Sequence, residues 1–280
     1  MGSAGGMDEL RRGNELLEAA YGRRGRPAAV ARETPLKVGV DLGTSSVVVM
    51  VLDELDRPLV WEMEEASVIR DGLVVDFSGA GSIVRRLKDR VEKHLGRELR
   101  AAAIAVPPGT GTRDRATHGY VLESAGIEVA AILDEPTAAN SVLGIQEGAI
   151  VDIGGGTTGI SVFRGGAVEA VFDEPTGGTH VSLVIAGNRR IPFHEAERLK
   201  RDPKMQKELL PVVTPVLQKM ASIVIGHTRG RDVRVLYLVG GTCCLEGMES
   251  VIGRETGIPS YKPLHPFLAT PLGIAMNCPV

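Results

Sequence analysis

Two stretches of this chain follow one pattern, and that repetition limits the folds open to it more than any other feature. KVGVDLGTSSVVVMVLDELDRPLV, from Lys37, and GAIVDIGGGTTGISVFRGGAVEAVF, from Gly148, share it: an apolar β-branched run, an aspartate, a Gly/Thr/Ser turn, a second β-branched run and a polar turn into a third. β-Branched runs favour strands, and short Gly-rich turns between them favour hairpins, so the chain holds a duplicated hairpin unit. After the first copy, SIVRRLKDRVEKHLG sets Ile83, Val84, Leu87, Val91 and Leu95 at helical spacing, ahead of the strand AAAIAV and Pro107-Pro108. RDRATHGYVLESAG predicts another helix and IEVAAIL an apolar stretch before DEPTAANSVLG. Beyond the second copy, HVSLVIAGNRR, FHEAERLKR and LLPVVTPVLQKMASIVIGHTR predict helices before the strand VRVLYLV. Strands alternating with helices in both halves predict an α/β fold of two related lobes with a ligand cleft between them.

With 280 residues, of which 43% are apolar, the chain is long enough for lobes with real cores. A formal net charge of −3 without long like-charge runs offers no footprint for nucleic acid or an anionic membrane, so neither is an expected partner. No uninterrupted apolar run approaches the length of a membrane span; KVGVDLGTSSVVVMVL is cut by Asp41 and its turn. Three cysteines, two of them adjacent (Cys243 and Cys244), make no disulfide framework and no metal spacing, which points to a reducing, cytoplasmic setting. The six histidines lack metal spacing and read as ordinary surface or core residues. The opening MGSAGG reads as the remnant of an expression tag before a start near Met7. Residues 8 to 21 then carry Leu10, Leu16, Leu17, Ala20 and Tyr21 at loosely helical spacing, before the Gly-, Pro- and Arg-rich GRRGRPAAVARETP. This predicts a short amphipathic helix on a tether, free to dock on the body, a second copy or a partner; a helix packed on the body is the alternative.

The second hairpin formally contains GxGxxG (Gly154, Gly156, Gly159), but a dinucleotide fingerprint requires a following helix and TTGISVF is strand-like. No GKS or GKT occurs, which removes a Walker A loop. In DLGTSS and DIGGGTT a strand-ending aspartate precedes glycines that let backbone N–H groups approach a phosphate, while Thr and Ser hydroxyls add donors. Two such turns could grip a polyphosphate from both sides. Mg²⁺, which keeps waters and takes one or two carboxylates besides phosphate oxygens, would find them in Asp41 and Asp152.

These segments, in this order, resemble the actin, sugar-kinase and heat-shock-chaperone ATPase superfamily. DLGTSS resembles its first phosphate loop and VPPGTGTRDRATHGYVLESAGIEVAAILDEPTAA its first connecting segment. VDIGGGTTGISVF resembles its second phosphate loop, LVGGTCCLEGM its adenosine motif and ATPLGIAM its second connecting segment. The resemblance spans residues 36 to 276 and implies a two-lobed actin-like ATPase fold of duplicated ribonuclease-H-like lobes. The expected divisions are 36–147 for the first lobe, 148–268 for the second and 269–280 for a segment returning to the first, with 1–35 holding the tag remnant, helix and linker. It implies Mg-ATP as ligand, with Gly43, Thr44, Ser45, Gly154, Gly155, Gly156, Thr157 and Thr158 at the phosphates and Gly240, Gly241 and Thr242 behind the adenosine. Glu135, in EPTAA, corresponds to the acid that positions the attacking water and, with Asp152, forms the implied catalytic pair; alternatively Glu135 caps a helix at Pro136. HEAERLKR resembles a Glu-x-x-Lys helix that touches ribose and base, which nominates Glu197 and Lys200; a solvated face with i,i+3 charges is the alternative.

The departures are informative. Too few residues separate the first hairpin from Pro107, or Lys200 from Leu210, for the peripheral subdomains of chaperones and actins, and no lysine stands where chaperones carry one in the cleft. No chaperone-type peptide-binding domain is expected after Val280. An open, wet cleft predicts slow turnover. The pruned architecture resembles the short chaperone-like branch associated with bacterial microcompartments. That implies a slow ATPase whose nucleotide state sets its affinity for a microcompartment enzyme or shell component, or for a second copy in a homodimer. A non-hydrolysing scaffold and a small-molecule kinase are the competing functions.

Overall fold

The computed structural model describes residues 10–70 and 72–280, so the tag-remnant reading of the opening residues lies outside the described part. Each copy of the repeated unit forms three antiparallel strands: β1 (Leu36–Leu42), β2 (Ser46–Asp53) and β3 (Pro58–Glu65) in one, β8 (Gly148–Ile153), β9 (Thr158–Arg164) and β10 (Ala167–Glu174) in the other. The first unit is extended by parallel strands β6 (Ala101–Val106) and β7 (Glu128–Asp134), giving the order β3-β2-β1-β6-β7. The second is extended in the same sense by β11 (Leu236–Val239) and β12 (Ser260–Tyr261), giving β10-β9-β8-β11-β12. The two sheets share one topology. Between β3 and the helix α2 (Phe77–Leu95) the strands among the described residues are one antiparallel pair of two residues each, β4 (Ile69–Arg70) and β5 (Leu73–Val74).

Strand side chains alternate between faces, and both faces of β2 are buried, which explains its unbroken apolar run from Val47 to Leu52. Val47, Val49 and Val51 face a core shared with Val84, Leu87 and Val91 of α2 and Val121 and Leu122 of α3 (Thr112–Ser124). The second sheet buries Val151, Ile160 and Val162 against α5 (Gly178–Arg189), α7 (Pro203–Thr228) and α8 (Met248–Thr256). Helix α7, read as helical from its sequence, is long and apolar enough to cross a membrane by length and composition, which corrects the expectation that no apolar run approaches that length. In the fold its stripe of Leu209, Val213, Leu217, Met220 and Val224 is buried in the second core.

The opposite faces of both sheets enclose a third core. Val48, Met50 and Leu52 from one and Ile150, Phe163 and Tyr237 from the other close around α4 (Glu135–Leu143), α9 (Ala269–Met276) and α1 (Arg11–Tyr21). Helix α9 crosses α4 so tightly that a Cβ at Gly273 would stand 1.7 Å from the Ala138 carbonyl oxygen, so only glycine fits there.

The N-terminal segment is where the structure corrects the sequence reading. A helix forms at Arg11–Tyr21, but it is docked and not tethered: Leu10, Leu17 and Ala20 are buried in the third core. The linker is fastened along β3, with Gly25 N–H donating to Trp61 O at 3.1 Å and Ala28 N–H to Leu59 O at 2.8 Å. Trp61 Nε1 donates to the Ala20 carbonyl at 2.8 Å. The glycines and arginines that read as a flexible tether thus serve as a short edge pairing that covers β3.

Candidate functional site: a cleft between two matched glycine turns

Asp41 and Asp152 stand near the C-terminal ends of β1 and β8, the paired first strands of the two units. The turns that follow close alike: Gly43 N–H donates to Ser46 O at 3.0 Å and Gly154 N–H to Thr157 O at 3.1 Å. They face each other across one cleft of about 450 Å³. The loops meet closely: a Cβ at Gly155 would lie 2.3 Å from Ser45 Oγ and 3.3 Å from the Cβ atoms of Ser45 and Thr44. Carbonyls of the second loop are engaged from behind: Gly154 O accepts from Gly178 N–H at 2.9 Å and Thr242 Oγ1 at 2.7 Å, and Gly155 O accepts from Thr179 N–H at 2.8 Å. With those carbonyls bonded, the loop keeps a fixed shape in which amides other than that of Gly154 can turn to an anion.

Of the sequence-nominated residues, Asp41, Gly43, Thr44, Ser45, Glu135, Asp152, Gly154, Gly155, Gly156, Thr157, Glu197, Lys200, Gly240, Gly241 and Thr242 all line this cleft. Thr158 does not. It opens β9 with its side chain fully buried, and its hydroxyl donates to Thr176 O at 2.5 Å, turned away by the alternation of the strand. The cap of α4 belongs to Asp134, whose Oδ1 accepts from Thr137 N–H at 2.9 Å, so the capping alternative for Glu135 is not what the helix uses. Glu197 and Lys200 are no solvated pair. Lys200 Nζ lies 2.7 Å from Glu197 Oε1 and donates to Gly178 O at 3.1 Å, and Ser182 Oγ donates to Glu197 at 2.5 Å. Burial would raise the Glu197 carboxyl, but Lys200 and Ser182 outweigh it and hold the group below its usual range.

The central carboxylates behave differently. Asp41 is pushed up to about 7, first by burial and then by the charge of Asp152. Asp152 is pushed up to about 6 by burial, against a 2.7 Å hydrogen bond from Thr270 Oγ1. Glu135 is raised well above its ordinary value by burial and by Asp152 and Asp41. Two buried like charges resist ionising together, and a dication between them removes that conflict, so the donor set fits Mg²⁺. No group of three or more metal-ligating side chains occurs among the described residues, so phosphate oxygens and waters would complete such a shell.

A pH dependence follows. The folded chain holds the Asp41 and Asp152 protons more tightly than the unfolded chain, whose aspartates titrate near 3.8. Stability of the ligand-free protein should therefore fall as pH rises from about 4 and level off above about 7. Melting curves between pH 5 and 8 check this: Asp41→Asn should flatten the slope, and an unchanged slope would dismiss the assignment.

Several cleft residues escaped the sequence reading. Thr270 lines the site, the first residues of α5, Gly178 and Thr179, buttress it from behind, and Arg201 of α6 (Phe193–Arg201) forms an ion pair across the mouth with Glu65 of β3. The doublet of glycines in TGGT, soon after the second hairpin, was the one sequence signal that could have exposed that helix start. Cys244 lines the cleft and Cys243 is buried beside it; burial raises both thiols, so neither is a ready thiolate.

The Hsp70 protein family model matches residues 78–210, and that of cell division protein FtsA residues 149–273. The ethanolamine utilization protein EutJ of Salmonella typhimurium is 47% identical over 246 residues, covering 88% of this chain and 86% of the relative. The chain belongs to the EutJ family. The crystal structure of EutJ from Carboxydothermus hydrogenoformans superposes with a TM-score of 0.88 at 46% identity, over 98% of this chain and 99% of that one. MreB5 of Spiroplasma citri bound to ADP superposes with a TM-score of 0.68 at 18% identity, over 86% of this chain and 95% of that one. The EutJ fold is therefore actin-like, with both sheets and the cleft between them.

Proposed function

We propose that the cleft binds Mg-ATP and hydrolyses it slowly, with lobe closure setting the affinity for a protein partner in ethanolamine utilisation. The observation that carries this reading is the facing pair of identically closed turns, each preceded by a raised-pKa aspartate. Thr44, Ser45 and the amides of Gly155 and Gly156 would bind phosphate oxygens, and Gly240, Gly241 and Thr242 would back the adenosine. Asp41 and Asp152 would hold Mg²⁺, which when bound neutralises phosphate charge. Glu135 reaches the same cleft. Ligand that offsets the charges of Asp41 and Asp152 would lower its pKa toward the ionised form that orients water.

The division into lobes 36–147 and 148–268, with 269–280 returning to the first, is part of the same reading. The Arg201–Glu65 pair joins α6 to β3 over the cleft, and its ends move apart if the lobes open. Both partners are substantially exposed, so the pair is a weak latch that ligand binding can outweigh. The names of the relatives bring ethanolamine utilisation to this chain; a microcompartment enzyme or shell component as partner and a cytoplasmic location belong to the same proposal.

Calorimetric titration with ATP in the presence and absence of Mg²⁺ tests the core of the proposal. Wild type should bind with a Mg²⁺-dependent affinity, and Asp41→Asn and Asp152→Asn should each lose roughly tenfold of that dependence while melting cooperatively. Mg²⁺-independent binding in all three proteins removes the metal assignment. Binding without hydrolysis favours a scaffold, a reading that the absence of a lysine from the described first-lobe cleft wall also supports.

A further inference from the structure

Five carboxylates line the cleft (Asp41, Glu65, Glu135, Asp152 and Glu197) against three cations among the described residues: Arg24, Lys200 and Arg201. Lys200 and Arg201 both belong to α6 and are committed. Lys200 is paired with Glu197 and donates to Gly178 O, and Arg201 is paired with Glu65 and Glu197. Arg24 differs on both counts. It comes from the N-terminal segment that lies along β3, and among the described residues its guanidinium makes no ion pair or side-chain hydrogen bond. It is nonetheless held in place. A parallel bridge joins it to Trp61, with Trp61 N–H donating to Arg23 O at 3.4 Å and Gly25 N–H to Trp61 O at 3.1 Å. Its guanidinium carbon sits 5.4 Å from the centroid of the Trp61 ring. Trp61 itself is buried and anchored to the Ala20 carbonyl.

We infer that Arg24 contacts the phosphate chain of the bound nucleotide, so that the site is completed by a residue outside both repeated units. The inference rests on the nucleotide-binding reading of the cleft. A polyphosphate entering an acid-rich cleft gains most from a cation that has no protein carboxylate to release first. Arg24 is the cleft cation in that state. A guanidinium is suited to the role because its planar fork matches phosphate oxygens while its charge stays over an aromatic ring. Fixing the backbone on either side of Arg24 lowers the ordering cost of the contact. The docked N-terminal segment thereby answers the missing cleft lysine: the first-lobe side of the cleft draws its positive charge from this segment.

The alternative role is structural, with Arg24 only covering Trp61. Titration of the full chain with Mg-ATP and with adenosine, for wild type, Arg24→Gln and Arg24→Lys, separates the two. Arg24→Gln should bind Mg-ATP roughly tenfold to a hundredfold more weakly, a usual range for losing a charge-assisted contact, with adenosine affinity and Tm unchanged. Arg24→Lys should recover part of the loss. Equal losses for ATP and adenosine would overturn the phosphate contact and leave Arg24 as support for Trp61. Wild-type ATP affinity in both variants would overturn it outright. If wild type itself binds no nucleotide, the failure belongs to the reading of the cleft.

Discussion

Deleting residues 1–34 is expected to cost the protein most of its thermal stability, because the deletion removes part of a core. Leu17 and Ala20 are fully buried with Met50, Trp61, Tyr237 and Leu272, so their loss exposes both sheets' inner faces at once. The helix is also bonded to the loop before α9: Leu264 N–H donates to Asn14 Oδ1 at 2.7 Å, His265 lies 3.0 Å from Glu18, and the Tyr21 and His265 rings stack at 3.8 Å. That loop reaches the cleft, since Pro266 O accepts from Gly240 N–H at 3.0 Å. Because the deleted chain could fail to fold, Leu17→Ala is the quantitative variant. A large-to-small change at a buried leucine costs about 2–5 kcal/mol. At roughly 2–4 °C per kcal/mol for chains of this size, Tm should fall by about 5–20 °C. A Tm within a degree of wild type for Leu17→Ala would restore the tethered helix.

Glu135→Gln should lower ATP turnover by about 10²-fold or more, the scale of a general base or water-orienting group, while leaving Mg-ATP affinity within a few-fold of wild type. The amide is nearly isosteric, so the packing of α4 under Asp134's cap is kept. The variant also removes one of three acids that repel one another in the cleft. If anything, nucleotide binding should therefore tighten, and an affinity loss that parallels the turnover loss would assign Glu135 to binding. Single-turnover measurement keeps chemistry apart from product release. Unchanged turnover in the variant would take Glu135 out of the reaction.

The contrast between Thr157 and Thr158 shows where sequence reading ends. Both belong to the same loop motif, and composition treats their hydroxyls alike. One lines the cleft and the other is turned to Thr176 O, because adjacent positions entering a strand point to opposite faces. Glu197 and Lys200 show a related limit. Their i,i+3 spacing is equally compatible with a solvated helix face, and only the packing of α6 against α5 sets them beside Gly178.

The repeated hairpins, the aspartates near the ends of their first strands, the glycine turns and the α/β alternation are all legible in the residues alone. These are local: period-two apolar runs and turn residues act over a few positions, and duplication makes the signal recur. Tertiary structure alone decided the fate of the N-terminal helix, the latch between Arg201 and Glu65, the support of Asp152 by Thr270 and the arrival of Arg24 in the cleft. A short apolar stripe such as Leu10, Leu17 and Ala20 can be buried on any complementary surface, and a guanidinium can pair with any carboxylate in reach. Which one is chosen depends on residues far along the chain, Trp61 lying 41 positions from Ala20 and Leu264 lying 250 from Asn14. Burial is non-directional and proportional to area, so the stripe carries no address of its own; the address is the gap that the two sheets leave between them.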